Sequence, residues 1–283
     1  MQLSRRLDHI APFHVMAILE RARALEAAGH DVIHLEIGEP DFPTPEPVQQ
    51  AAAAAMAAQR TFYTPALGLP ELREAIAGWY ASRYDVTVEA SRIAVTPGAS
   101  GALLLVLSAL CESGRSVLLP DPTYPCNRHL VSLTGAEPVG IAVDAGTRYQ
   151  LSAQHVDAHW RADTVAAMIA SPSNPTGTLI TPPALAELHE AVRRHGGTLI
   201  VDEIYHGLTY GVDAPTALAL GDDIVVINSF SKYFQMTGWR LGWLVMPPSM
   251  THHMGKLVEF NTSCASVFTQ RAGIAALQHA DEI

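Results

Sequence analysis

Residues 229–240, Ser229-Phe230-Ser231-Lys232-Tyr233-Phe234-Gln235-Met236-Thr237-Gly238-Trp239-Arg240, join two apolar runs, 224–227 and 241–246. Both runs predict buried strands, which makes the hydroxyl-rich segment between them a loop at a strand end. Such loops are where α/β enzymes carry their chemistry. Lys232 stands out within it, because the chain uses arginine freely but has only one other lysine, Lys256. A primary amine has been placed where chemistry can use one.

Outward from this loop, residues 93–96, 116–119, 137–143, 165–170 and 198–201 read as further strands. Helices are predicted at about 101–110, 125–134 and 183–195. That rhythm predicts an α/β fold: a mostly parallel, mixed sheet of the seven-stranded type, with helices on both faces. Nearer the start, residues 12–29 place Val15, Ile18, Leu19 and Leu25 at helical spacing and stop at Gly29, which predicts the first helix. A short strand is predicted over 32–37. Gly38-Glu39-Pro40-Asp41-Phe42-Pro43-Thr44-Pro45 is too rich in proline for regular structure and predicts an ordered loop. The alanine run 51–58 predicts a helix, and the final segment, 267–280, predicts another.

Length and composition are those of a soluble, core-forming protein: 283 residues, 48% hydrophobic and 16% charged. A net charge of −10 and no basic run longer than Arg193-Arg194 argue against nucleic acid as a partner. No stretch reaches the ~18 apolar residues of a membrane span, and the start lacks a signal peptide's apolar core, so a cytoplasmic location is expected. Cys111, Cys126 and Cys264 are odd in number and far apart, which predicts buried free thiols rather than disulfides or a zinc site. His189-Glu190 begins a zinc-protease motif, but Arg193 stands where the second histidine belongs, so no metal is expected.

Three further strand ends carry polar residues. The strand at 93–96 runs into Pro97-Gly98-Ala99-Ser100-Gly101 and a helix, which can cradle a phosphate on free N–H groups or can be a plain capped turn. The strand at 198–201 ends in Asp202, with Tyr205 three residues on; Asp202 can serve a ligand or cap the next turn. The strand at 165–170 delivers Ser171-Pro172-Ser173-Asn174-Pro175-Thr176-Gly177, which presents an amide or is simply an Asn-Pro turn. There is no GxGxxG fingerprint, Walker lysine motif or GxSxG elbow. One cofactor makes use of the whole set. Pyridoxal phosphate has an aldehyde for Lys232, a phosphate for the 98–101 turn, a ring nitrogen for Asp202 and a ring oxygen for Asn174 and Tyr205.

Taken in order, the 171–177 segment, Val201-Asp202-Glu203-Ile204-Tyr205, Ser229-Phe230-Ser231-Lys232 and Gly238-Trp239-Arg240 resemble the fold-type I, pyridoxal-phosphate-dependent aminotransferases of class I/II. The resemblance begins at the first helix and Ile37-Gly38-Glu39-Pro40-Asp41-Phe42, and covers essentially the whole chain. It implies that Lys232 holds the cofactor as a Schiff base and acts with Asp202 and Tyr205 in catalysis. Asp202 would pair with the ring nitrogen, Asn174 and Tyr205 with the ring oxygen, and Tyr124 would stack on the ring. Gly98, Ala99, Ser100, Ser229, Ser231 and Arg240 would surround the phosphate. Tyr63 would reach the phosphate of a neighbouring subunit, so a homodimer is implied. Gly38, Tyr124 and Asn174 would meet the substrate, an amino acid or a 2-oxo acid.

The same resemblance implies an N-terminal segment, 1–40, belonging to a small domain, and a large cofactor-binding domain, 41–283. Most of the small domain, with the arginine that clamps the substrate carboxylate, would lie beyond Ile283, so a truncated product or partial gene is expected. Two other activities fit the cofactor residues: a lyase or synthase on the same scaffold, and a non-catalytic pyridoxal-phosphate-binding protein.

Overall fold

The computed structural model describes residues 3–283. The chain begins with two helices, α1 (His14–Ala27) and α2 (Glu46–Ala57), and a third, α3 (Pro70–Tyr84). Then follow β1 (Ile93–Thr96), α4 (Gly98–Leu110), β2 (Ser116–Asp121), α5 (Cys126–Leu133), β3 (Glu137–Ala142), α6 (Ala153–His159) and β4 (Thr164–Ala170). The remainder is α7 (Pro182–Arg194), β5 (Thr198–Asp202), β6 (Val225–Ser229), β7 (Gly242–Val245), α8 (Thr251–Asn261) and α9 (Val267–Gln278).

The seven strands form one sheet in the order β1-β7-β6-β5-β4-β2-β3. β7 is antiparallel to both neighbours, β1 and β6, and the other pairs are parallel, so six strands point one way. Buried on both faces, all of these strands but the edge strand β3 are near-continuous buried runs rather than alternating ones, as the sequence pattern predicts. In β5, Leu199 and Val201 pack into one core with Leu72 and Ile76 of α3 and Leu188 of α7. Ile200 faces the other core, with Leu103 and Val106 of α4 and Val258 of α8. The largest buried side chain, Trp243 of β7, packs on Phe230 with centroids 5.0 Å apart and donates its Nε1–H to the Tyr80 hydroxyl at 3.1 Å.

The strand predicted over 32–37 is absent. Ile33 and Leu35 are 83% and 88% exposed, and no strand among the described residues pairs with the segment. An apolar run without a ladder partner has nothing to hold it as a strand. The helix predicted from 101 begins at Gly98, because the turn residues themselves form its first turn. The last predicted helix, 267–280, stops at Gln278, and a separate 3-10 turn covers Ala280–Glu282. The three cysteines are free, as expected, but half-buried rather than buried. Helices α3, α6 and α8 fall outside the predicted elements, although the spacing of Leu72, Ile76, Trp79 and Tyr80 marks α3 in principle.

Candidate active site

The polar residues singled out in the sequence collect at the edge where the parallel strands end. β1 runs into Gly98, β4 into the 171–177 segment, β5 ends in Asp202, and β6 ends in Ser229, three residues before Lys232. β7 starts at this edge, directly after Arg240 and Leu241. The order of strands reverses between β2 and β4, the kind of switch point where open α/β sheets hold ligands.

Two glycines let an arginine lie against a helix start. Gly98 has φ +73° and a Cβ there would run into the Arg240 guanidinium. A Cβ on Gly242 would sit 2.7 Å from the Gly98 carbonyl carbon and 2.9 Å from Ala99 N. The backbone of β7 therefore passes directly over the first turn of α4. Arg240 adopts the left-handed conformation, φ 52°, and Nη1 donates to the Thr237 carbonyl at 2.8 Å. Its fork lies at the start of α4, an arrangement chemically suited to an anion. Ser100 is exposed beside it. Ser229 Oγ is buried, 2.9 Å from Ser231 Oγ and 3.1 Å from the Leu241 carbonyl, and it accepts the Ser231 N–H at 3.1 Å.

Lys232 is half-buried, and its Nζ donates to the carbonyl oxygen of Gly38 at 2.6 Å. Burial lowers its pKa, with Arg240 acting in the same direction and Glu39 against it. Asp202 is 7% exposed, and burial pushes its carboxyl up to about 6. Its Oδ1 accepts the Ile204 N–H at 3.1 Å, the only hydrogen bond to this carboxyl among the described residues. The capping role and a ligand role are therefore compatible. Asn174 Nδ2 donates to the Tyr205 hydroxyl at 3.2 Å, and burial raises the Tyr205 pKa. Tyr124 is likewise raised, first by burial and then by contact with Cys126, and it meets the edge of Phe13 at 6.2 Å.

Tyr63 stands apart. It is 88% exposed and lines a cavity of about 660 Å³ with Phe62, Cys264 and Phe268, a lining that does not include Lys232. A second cavity, of about 720 Å³, opens on the Arg240 side, between Glu39, Thr44, Gln235, Trp239 and Phe268. Sequence reading did not single out Thr44. Its hydroxyl donates to the Gln235 carbonyl at 2.8 Å and accepts Trp239 Nε1–H at 2.9 Å, so it pins the proline-rich loop onto the lysine loop. Nothing local could signal that, since the partners are 191 and 195 residues away. Among the described residues no cluster of three metal-binding side chains occurs, and His189 instead faces Asp223 at 3.0 Å. No described helix is long and apolar enough to cross a membrane.

Fold and site together define a doubly wound α/β protein with an amine, a buried carboxylate and an anion cradle on one sheet edge. The family model for aminotransferase class I and II matches residues 30–283, and the chain belongs to that family. Valine–pyruvate aminotransferase of Mycobacterium tuberculosis is 40% identical over 272 residues, 94% of this chain and 69% of the relative. Aspartate aminotransferase of Geobacillus stearothermophilus is 36% identical, over 98% of this chain and 72% of its own. Among solved structures, aspartate aminotransferase from Thermus thermophilus with maleate superposes with a TM-score of 0.94 at 30% identity, covering all of this chain and 75% of that one. The sheet and its helices are those of the fold-type I aminotransferases, and the chain is an enzyme of that class.

Proposed function

We propose that the chain binds pyridoxal 5'-phosphate covalently through Lys232 and transfers an amino group between an amino acid and a 2-oxo acid. The observation that carries this reading is the Lys232 amine, half-buried with a lowered pKa and 2.6 Å from the backbone of Gly38. The residues present suit the cofactor. Asp202 is a buried carboxylate with spare acceptor capacity and, among the described residues, no cation paired with it, an environment that a ring N–H⁺ would satisfy. The glycines at 98 and 242 clear a cradle for a phosphate under Arg240. When bound, pyridoxal phosphate supplies an aldehyde that combines with amines and a protonated ring that accepts the electron pair released at a substrate carbon.

The chain's own residues do the rest. Asp202 would hold the proton on the ring nitrogen, and that cation would in turn favour the carboxylate against the effect of burial. Asn174 and Tyr205 would donate to the ring oxygen, and Tyr124 would cover a ring face. Ala99, Ser100, Ser229 and Arg240 hold the phosphate, with the Ser231 N–H fixing Ser229. With the cofactor bound, the Lys232 amine would be the base placed to move a proton from the substrate α-carbon, and its lowered pKa suits that task. Gly38, within reach of Lys232, meets the substrate carboxylate.

A homodimer, with Tyr63 serving the partner's phosphate, is part of the same reading. It is supported by the exposure of Phe62, Tyr63 and Phe260, which are 81%, 88% and 92% accessible. The test is direct. Borohydride reduction of the loaded protein followed by peptide mapping should place a pyridoxyl group on Lys232 and not on Lys256. A separate, unreduced sample incubated with amino acids and 2-oxo acids should exchange amine without releasing ammonia or thiol; release without exchange would assign the chain to lyase chemistry instead.

A further inference from the structure

One residue beyond Tyr205, the His206 ring is buried and joins three parts of the fold. Its Nε2 lies 3.0 Å from the Ser171 carbonyl oxygen, which only accepts, so Nε2 carries the proton. Nδ1 is then the acceptor, and the Tyr84 hydroxyl at the end of α3 donates to it at 3.0 Å. The buried Glu203 carboxyl is 3.5 Å from Nδ1 and is held by the Thr216 hydroxyl at 3.0 Å and the Ala217 N–H at 2.7 Å. Burial lowers the His206 pKa to about 4 and raises that of Glu203 to about 8. Arg83, beside Tyr84, pushes His206 the same way, and Asp202 does so for Glu203. A neutral ring next to a protonated carboxyl satisfies all of these contacts.

Ser171 is the root of the segment that presents Asn174. Its N–H donates to the Asp202 carbonyl at 3.1 Å, and its Oγ accepts the Ile180 N–H at 3.2 Å. His206 thus bonds the base of the Asn174 segment to the turn that carries Tyr205. At the far end, Asn174 and Tyr205 meet through their side chains at 3.2 Å. The inner bond adds a side-chain tie, close to Tyr205, to the Ser171 N–H bond with the Asp202 carbonyl that joins the same two segments.

We propose that His206, as its neutral Nε2–H tautomer, is a positioning residue. By tying Ser171 to the Tyr205 turn it sets the Asn174–Tyr205 pair on the ring oxygen of the cofactor, and Tyr84 selects the tautomer. The inference rests on the cofactor reading above. Donors on the ring oxygen favour its anion, so misplacing them makes the bound chromophore keep its proton to higher pH.

Two measurements test this. In ¹⁵N-histidine NMR of the cofactor-free protein, the signal lost in His206→Gln should belong to a neutral Nε2–H ring that does not titrate between about pH 5.5 and 8. An Nδ1–H ring, or one that titrates in that window, overturns the tautomer and the role with it. In the loaded protein, the pH midpoint of the bound chromophore should rise by about half a unit or more in His206→Phe. It should return close to wild type in His206→Gln, whose amide N–H can reach the Ser171 carbonyl. Tyr84→Phe should shift it the same way by less, and it stands in if His206→Phe does not fold. Unchanged midpoints in His206→Phe and Tyr84→Phe, or an equal shift in His206→Gln, overturn the positioning role while leaving the cofactor reading intact. A wild-type protein that takes up no pyridoxal phosphate overturns both.

Discussion

Lys232 Nζ donates to the carbonyl oxygen of Gly38 at 2.6 Å, across 194 residues of sequence. The bond joins the loop after β6 to the proline-rich loop before α2, and Thr44 fastens the same two loops through Gln235 and Trp239. The amine proposed to hold the cofactor therefore touches the backbone proposed to hold the substrate.

Replacing Lys232 by arginine keeps a cation that can donate to Gly38 but removes the nucleophilic, titratable amine. Cofactor should then be removable by dialysis, and amine transfer should fall by about a thousandfold or more. Absorbance after dialysis and single-turnover assays check this. A variant that still yields a borohydride-fixed pyridoxyl peptide would sink the assignment.

Asp202→Asn preserves the acceptor for the Ile204 N–H, so the turn should survive. What is lost is the negative charge proposed to face the ring nitrogen. Amine transfer should drop by about a hundred- to a thousandfold with little change in melting temperature. Asp202→Glu should recover part of the rate. Steady-state kcat and thermal melts separate this from an unfolded variant.

Gly98→Ala brings a methyl group into the Arg240 guanidinium at a backbone φ of +73°. It should weaken pyridoxal phosphate binding about tenfold or more, as should Arg240→Lys, which loses the bidentate fork. Fluorescence titration of the cofactor-free protein measures both. Equal affinity in wild type and Arg240→Lys would remove the phosphate from this cradle.

If Tyr63 serves the neighbouring subunit, Tyr63→Ala and Lys232→Ala should complement each other. A mixed dimer then contains one site with an intact Lys232 from one protomer and an intact Tyr63 from the other. Mixing the two weak variants under subunit exchange should restore up to about a quarter of wild-type activity, the statistical share for one good site in half the dimers. No recovery in a demonstrated mixed dimer would place Tyr63 within its own subunit or outside the site.

Glu203 sets a pH dependence of stability in the cofactor-free protein. Its carboxyl is raised to about 8 by burial, while an unfolded glutamate titrates near 4.5. Between those values the folded chain binds the proton more tightly, so stability falls as pH rises, and the contribution is lost through about pH 8. His206, lowered to about 4, works oppositely between about 4 and 6.5, where protonation favours the unfolded chain. The clear window is therefore pH 6.5 to 8.5, where the melting temperature should decline by a few degrees and Glu203→Gln should flatten the decline. A slope unchanged in Glu203→Gln removes this account.

Much of the site is legible in sequence because each piece sits directly after its strand. Gly98 follows β1, Ser171 follows β4, Asp202 closes β5 and Lys232 follows β6 by three residues. Strands buried on both faces leave continuous apolar runs, so the strand ends, and the residues just past them, can be located from local pattern. The 32–37 segment shows the limit of that reasoning. It has the local pattern of a strand, and only the absence of a ladder partner among the described residues decides otherwise.

By itself the sequence determined which side chains are available at the carboxyl edge: one amine, one carboxylate, an amide and phenol, and a glycine-led helix start. Tertiary structure decided what those side chains touch. The antiparallel insertion of β7 between β1 and β6 lays Gly242 over Gly98 and brings Arg240 onto α4. The contacts of Lys232 with Gly38, of Thr44 with Trp239 and of His206 with Ser171 and Tyr84 span 194, 195, 35 and 122 residues. Local propensity acts over a few residues and cannot encode such distances; they arise only when burial of two apolar faces folds the strands into one sheet.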